Sequence, residues 1–265
     1  MPTEQMFQLS HSKVQSFFRC PKQYWWEYVS DYPKPEDPRS APGIVGKGVH
    51  DALRILTETG DPEDGRGSLS IYLRMPTHDV AGPGSGDWER AFRLYETGVR
   101  AVEAMVSERS WAERDTYVPV PKRGISISAR VDRIDRLSAM DWQVIDWKTG
   151  YADRDEETDA QLDLGHLAVR TSFRLARDIT VTAVAWNLHT GHKRTRVLTR
   201  DDAASTVRYY ASVARRMQAN TEWEATPSGA CRFCKWRPQC PEAQEVEESP
   251  WDNDDEDDAK STTGA

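Results

Sequence analysis

The sequence predicts an α/β fold whose mixed central sheet is flanked by helices. Three observations predict it. Apolar residues recur at helical spacing in the N-terminal hundred residues, the period then drops to two between 117 and 148, and a helix, a strand pair and another helix follow. With 265 residues, the chain is long enough for one sizeable domain.

The elements are read in order. Ser10 and Ser12 are candidate N-caps for a helical segment over 10–29, with Val14, Phe17 and Phe18 at helical spacing. Pro21 ends or restarts it. Residues 31–45 are rich in Pro, Asp and Gly and read as a loop. A second helix covers 46–58, with Val49, Leu53 and Leu56 on one stripe. Residues 60–87 read as a mobile insertion with a short helix near Tyr72, and 88–110 as a longer helix. Strands follow at 117–120, 124–135 and 142–148, with turn signals at Pro121–Gly124 and Ser138–Asp141. Residues 159–175 return to helix. Residues 179–188 and 193–199 form a hairpin turned at Thr190–Gly191, and 201–219 are helical. No internal repeat is visible.

Charge separates the tail from the rest. The net charge is -8, but residues 241–265 hold ten acidic residues and a single Lys. The first 240 residues are therefore close to neutral, which leaves room for a local basic groove. The expected division is a domain over 1–245 and a disordered acidic tail over 246–265. No run approaches the ~18 apolar residues of a membrane helix. The N-terminus shows no secretory pattern, so the expected location is cytoplasmic.

Chemistry concentrates at Asp132 in R-V-D-R-I-D and at Asp146 and Lys148 in V-I-D-W-K-T-G. Positions i and i+2 of a strand face one side, so Asp146 and Lys148 project together while Trp147 turns into packing. A hairpin register would set Asp132 beside Asp146. Two adjacent carboxylates suit a hard divalent cation such as Mg²⁺ or Mn²⁺, which activates water and stabilises charge on a phosphoryl oxygen. D-x-K alone also fits the solvated face of an edge strand. Against that, Val144, Ile145, Trp142 and Trp147 make this strand read as buried, where unpaired charge is costly. Gly46 lies one turn before His50 on the same helical face, so a backbone or ligand can approach there. An ordinary surface or core histidine fits His50 equally well.

The four cysteines are Cys20, Cys231, Cys234 and Cys240. Three cluster in C-R-F-C-K-W-R-P-Q-C, which in a cytosolic protein points to a metal site rather than disulfides. Spacing allows either tetrahedral Zn²⁺ or a [4Fe–4S] cluster. Nearby Tyr24, Trp25, Trp26 and Trp236 either stack on bases or pack a cluster site, and Lys22, Arg232, Lys235 and Arg237 either track phosphates or face solvent.

G-x-x-x-H, an Asp-bearing strand, D-x-K-T-G and a Gln-led helix together resemble the RecB-like branch of the PD-(D/E)XK nucleases. The resemblance implies that His50, Asp132, Asp146 and the Trp147 main-chain carbonyl bind the metal, with Lys148 as the catalytic lysine and Gln161 opening the family's Q-x-x-x-Y motif. Gly165 stands where that motif has Tyr, and Ala129 where a Gly usually precedes the first Asp. One N-terminal Cys-Pro with a C-terminal C-x2-C-x5-C is similar to the iron–sulfur nucleases, among them the AddB nuclease domain, CRISPR-associated exonucleases and phage relatives. This implies a [4Fe–4S] cluster held by Cys20, Cys231, Cys234 and Cys240, in a subdomain formed by 9–30 and 228–245. It also implies a metal-dependent DNA exonuclease acting on single-stranded ends, with recombination or CRISPR-type protein partners, in a bacterial or phage-infected cell. The rival reading is a nuclease fold that binds DNA or a partner without cutting.

Overall fold

The computed structural model describes residues 6–35, 41–78, 80, 82–150, 155–244 and 246. The expected acidic tail, apart from residue 246, lies outside them. In chain order the elements are β1 (Phe7–Ser10), α1 (His11–Arg19), α2 (Pro21–Tyr28), α3 (Ala41–Thr59), α4 (Pro62–Leu73), α5 (Gly86–Glu103) and β2 (Arg109–Val120). Then come β3 (Ile125–Arg136), β4 (Asp141–Lys148), α6 (Asp155–Ser172), β5 (Thr180–Asn187), β6 (Lys193–Leu198), α7 (Arg200–Ala219) and α8 (Pro241–Gln244). Two compact units result, one of Met1–His11 with Arg39–Gln218, the other of Ser12–Pro38 with Ala219–Ala265. No described helix is long and apolar enough to cross a membrane.

The first unit is built on a mixed sheet in the order β1-β3-β4-β5-β6, with β2 also paired to β3. β1 runs parallel to β3 and β4 parallel to β5, while the other pairs are antiparallel. β3 organises the site because β4 joins only its C-terminal half, from Arg133↔Ile145 to Arg136↔Trp142. β4 alternates between two helix layers. Ile145 and Trp147 pack with α3, α4 and α5, while Trp142 and Val144 pack with Leu162, Ala168 and Val169 of α6. A strand covered on both faces reads as the near-continuous apolar run seen in V-I-D-W.

Several elements differ from expectation, each for a physical reason. β1 is a four-residue strand, too short to show a period. α3 begins at Ala41, inside the expected loop, with Pro42 and Gly43 in its first turn where neither costs a hydrogen bond. α4 fills the expected insertion. Asp61 caps it, accepting from Glu63 N at 2.9 Å, and Pro62 starts it. Gly65 within it is a packing requirement, since a β-carbon there would lie 2.7 Å from the Ala52 carbonyl oxygen. α5 stops at Glu103, and the residues assigned to its end begin a twelve-residue β2 rather than a short strand at 117–120.

His166 of α6 is fully buried. Arg170 Nε donates to its Nε2 at 3.1 Å, and the rest of that guanidinium donates to the Ala176 and Ile179 carbonyls at 3.2 and 2.6 Å. Burial first, and then the Arg170 charge, push the His166 pKa down from 6.5 to about 4. The folded chain therefore holds fewer protons than the unfolded chain between these values. The resulting stability is present above pH 6.5 and is lost as the pH falls toward 4. Unfolding free energy should drop by about 2 kcal/mol between pH 7.5 and pH 5 through this group. Denaturant titrations at the two pH values check it, and His166→Gln should flatten that part of the curve.

The second unit packs aromatics at its centre. Phe17, Tyr24 and Trp223 meet in pairs at 5.7–6.5 Å between ring centres, and Trp26 stacks on Trp236 at 5.6 Å. Tyr24, Trp26 and Trp236 are buried, so packing claims them rather than bases. Lys22 pairs with Glu242 at 2.6 Å and Lys235 with Glu27 at 2.8 Å, which removes two of the four candidate phosphate-tracking cations.

Candidate active site and cysteine centre

The end of β4 presents Asp146 and Lys148 toward α6. Lys148 Nζ lies 2.7 Å from Asp146 Oδ2 and donates to Gln161 Oε1 at 2.6 Å. The Gln161 amide donates in turn to Asp146 Oδ1. The approach of Lys148 to Asp146 Oδ2 is an ion pair without hydrogen-bond alignment, which leaves that buried oxygen without a hydrogen-bond donor. One register step beyond Arg133↔Ile145 brings Asp132 opposite Asp146. There the Trp147 N–H donates to Asp132 Oδ2 at 2.8 Å, fixing the carboxylate to β4.

α3 supplies His50, whose Nδ1 is 3.3 Å from Asp132 Oδ2 and 3.9 Å from Glu113 Oε1. Gly46 has a visible purpose. A β-carbon there would stand 2.8 Å from Thr149 Oγ1, so glycine lets the turn after Lys148 close onto α3.

Glu113 is the residue that sequence reasoning missed. It lies mid-β2, opposite Asp132 between the pairs Ala112↔Arg133 and Arg114↔Val131, and its φ of +42° is left-handed. A non-glycine residue held there costs on the order of 1 kcal/mol or more, and such strain collects at functional sites. Its one sequence signal was an acidic residue in a stretch without clear period.

Ligand atoms of His50, Glu113 and Asp132 all lie within 4.8 Å of one another. Ligands of a single ion with bonds of roughly 2.1 Å stand about 3.0–4.2 Å apart, so the 3.3 and 3.9 Å separations fit a hard cation. Asp146, with its undonated Oδ2, stands beside this group. Electrostatics agree with the geometry. Burial and then Asp132 raise the Asp146 pKa to about 6. Burial and then Asp132 also raise Glu113. Burial works to lower His50, but Asp132, Asp146 and Glu113 carry it up to about 9. The site gathers negative charge that a cation would neutralise.

All four cysteines line one pocket of the second unit, and none is in a disulfide. Cys20 caps α2, its sulfur accepting from Gln23 N at 3.4 Å and Thr226 N at 3.5 Å, and Cys231 accepts from Ser228 N at 3.4 Å. Backbone donors aimed at sulfur favour thiolate ligands. Burial pushes the Cys234 and Cys240 thiols up, so thiolates there call for a cationic group. Among the described residues the tight His/Cys/Asp/Glu group is that of His50, and no three cysteine sulfurs lie within 4.8 Å of one another. A zinc tetrahedron would hold them roughly 3.8 Å apart.

The fold and this acid–lysine centre describe a phosphodiesterase-type nuclease scaffold. The profile of the PD-(D/E)XK nuclease superfamily matches residues 8–241, and the chain belongs to that superfamily. Among solved structures, it is similar to a "Putative exonuclease" from Eubacterium rectale, with 12% identity over 93% of this chain and 91% of that one and a TM-score of 0.52. It also aligns with the structure of SSO0001, with 17% identity over 88% and 85% and a TM-score of 0.39. No curated protein sequence matches. Nucleases of this superfamily use divalent metals and act on nucleic acid.

Proposed function

We propose that this protein is a metal-dependent DNA exonuclease that hydrolyses phosphodiester bonds from single-stranded ends. The observation that carries the reading is the Asp146–Lys148–Gln161 triad set against His50, Glu113 and Asp132. His50, Asp132, Asp146 and the Trp147 carbonyl would hold Mg²⁺ or Mn²⁺, with Glu113 beside them. The ion, when bound, lowers the pKa of a water and stabilises charge on the phosphoryl oxygens. Lys148, oriented by Gln161, orients the attacking water and offsets the phosphate's negative charge. A water oxygen bonds to phosphorus, the bond to the leaving sugar oxygen breaks, and that oxygen takes up a proton. The motif resemblance supports the preference for single-stranded ends and recombination or CRISPR-type partners.

The cysteine pocket is read as a [4Fe–4S] site within a subdomain of segments 9–30 and 228–245. Sulfurs standing wider than a zinc tetrahedron and backbone N–H groups aimed at two of them support this reading.

Digestion of end-labelled linear and of circular DNA by anaerobically purified protein tests the activity. Linear single strands should shorten with Mn²⁺ or Mg²⁺, circles should survive, and EDTA or Lys148→Ala should stop the reaction. DNA binding without cleavage under any metal would instead give the site to the non-cutting reading.

A further inference from the structure

α5 carries a basic stripe that the catalytic centre does not use. Arg90, Arg93, Thr97 and Arg100 recur at i, i+3, i+7 and i+10, which places them along one face over about 15 Å. With Leu188 and His189 they line an open cleft of about 240 Å³. The acidic side chain at its rim, Glu96, is engaged by Arg66 at 2.9 Å. Among the described residues no carboxylate pairs with Arg93, and Arg100 spends one nitrogen on the Thr97 hydroxyl at 3.1 Å. Both are exposed.

The cleft is tied to the catalytic strand. Arg90 Nη2 donates to the Thr149 carbonyl at 3.0 Å, and Leu188 N donates to the Lys148 carbonyl at 2.8 Å. The Asn187 side-chain amide donates to the Gly150 carbonyl at 3.2 Å. Three hydrogen bonds thus fix one wall and one arginine to residues 148–150, the turn that leaves the catalytic lysine. An anion held in the cleft would sit at a set distance from the scissile position. Arginine forks suit phosphate oxygens, and a stripe of this length meets more than one phosphate of a chain.

We propose that Arg93 and Arg100 form a backbone-phosphate subsite that positions the nucleic-acid strand for the Asp146–Lys148 centre. This rests on the nuclease reading and names the surface that aligns its substrate. The groups are positioning residues and touch no reacting atom.

The test is fluorescence anisotropy of a short end-labelled single-stranded oligonucleotide in EDTA across a salt series. It compares the unaltered protein, the double variant Arg93→Gln/Arg100→Gln, and Arg208→Gln on α7 as a surface-charge control. The double variant should bind about 10-fold or more weakly. Its log–log salt slope should be shallower by about 1.4, the value for two lost phosphate contacts on a single strand. Arg208→Gln should match the unaltered protein, and thermal midpoints should agree among all three. Unchanged affinity and slope in the double variant, with the unaltered protein binding and cutting DNA, would overturn the subsite and leave the nuclease reading standing. An unaltered protein that neither binds nor cuts the oligonucleotide would overturn both.

Discussion

Asp146→Asn is expected to lower metal-dependent DNA cleavage by about 10³-fold while leaving the protein folded and able to bind DNA. The argument runs from the strand outward. Asp146 is half-buried at the end of β4, with one oxygen taken by Gln161 and the other, which is buried, approached by Lys148 without an aligned donor. Asparagine keeps the shape and the oxygen that Gln161 uses, but removes the charge that would balance a divalent ion. It also leaves Lys148 without its carboxylate neighbour, so the ammonium's position and electrostatic role change together. The check is a single-turnover rate on end-labelled DNA with Mn²⁺, beside a melting curve and a binding isotherm for the same preparation. A variant that cuts at the unaltered rate would remove this carboxylate from the centre. Lost cleavage with lost folding would show a structural role instead, and Gln161→Ala, which leaves both charges in place, would then separate the two.

Legibility in the sequence followed burial. Asp146 and Lys148 could be read because β4 is covered on both faces, so polar residues at i and i+2 stood out against Val144, Ile145 and Trp147. Gly46 and His50 could be read because helix spacing aligns i and i+4, although the reason for the glycine, the approach of Thr149, needed the fold. Glu113 could not be read. Among the described residues β2 pairs with β3, and its first half is half-buried almost throughout, with no alternation to mark a face. Its left-handed backbone is a tertiary effect that no local pattern announces. α4 was read only as a short helix near Tyr72, while its first turns hold Gly65, a residue whose smallness answers to the Ala52 carbonyl of another helix. Propensity reads such a glycine as a break, and only the packing partner shows otherwise. The departure at Gly165 has no account of that kind, because a β-carbon there would stand at an ordinary 3.8 Å from Val144 Cγ2. His166 beside it is committed to Arg170 in the interior.

Cys240→Ser should strip the second unit of its proposed cluster and lower stability by roughly 5 kcal/mol, the scale for a cross-link that closes a loop of about two hundred residues. Cys20 and the trio Cys231, Cys234 and Cys240 come from opposite ends of the chain, and everything between them is the closed loop. Without that link the second unit keeps Trp26 on Trp236, Glu27 with Lys235, and Lys22 with Glu242. Those ion pairs are partly solvated and contribute little each. Cys240 is the least exposed of the four, its sulfur 3.4 Å from Glu242 Oε2. A hydroxyl there is a poor ligand for iron and adds a polar group beside the Trp26–Trp236 stack. Anaerobically purified protein should be brown and hold four iron and four acid-labile sulfide per chain, as the proposed cluster requires. Cys240→Ser should lose the visible absorbance, the iron and the thermal midpoint together. A colourless preparation with one zinc per chain would replace the cluster by a tetrahedral zinc site. The loop-closure argument would then hold for the zinc, because it depends on which residues are joined and how far apart they lie in sequence.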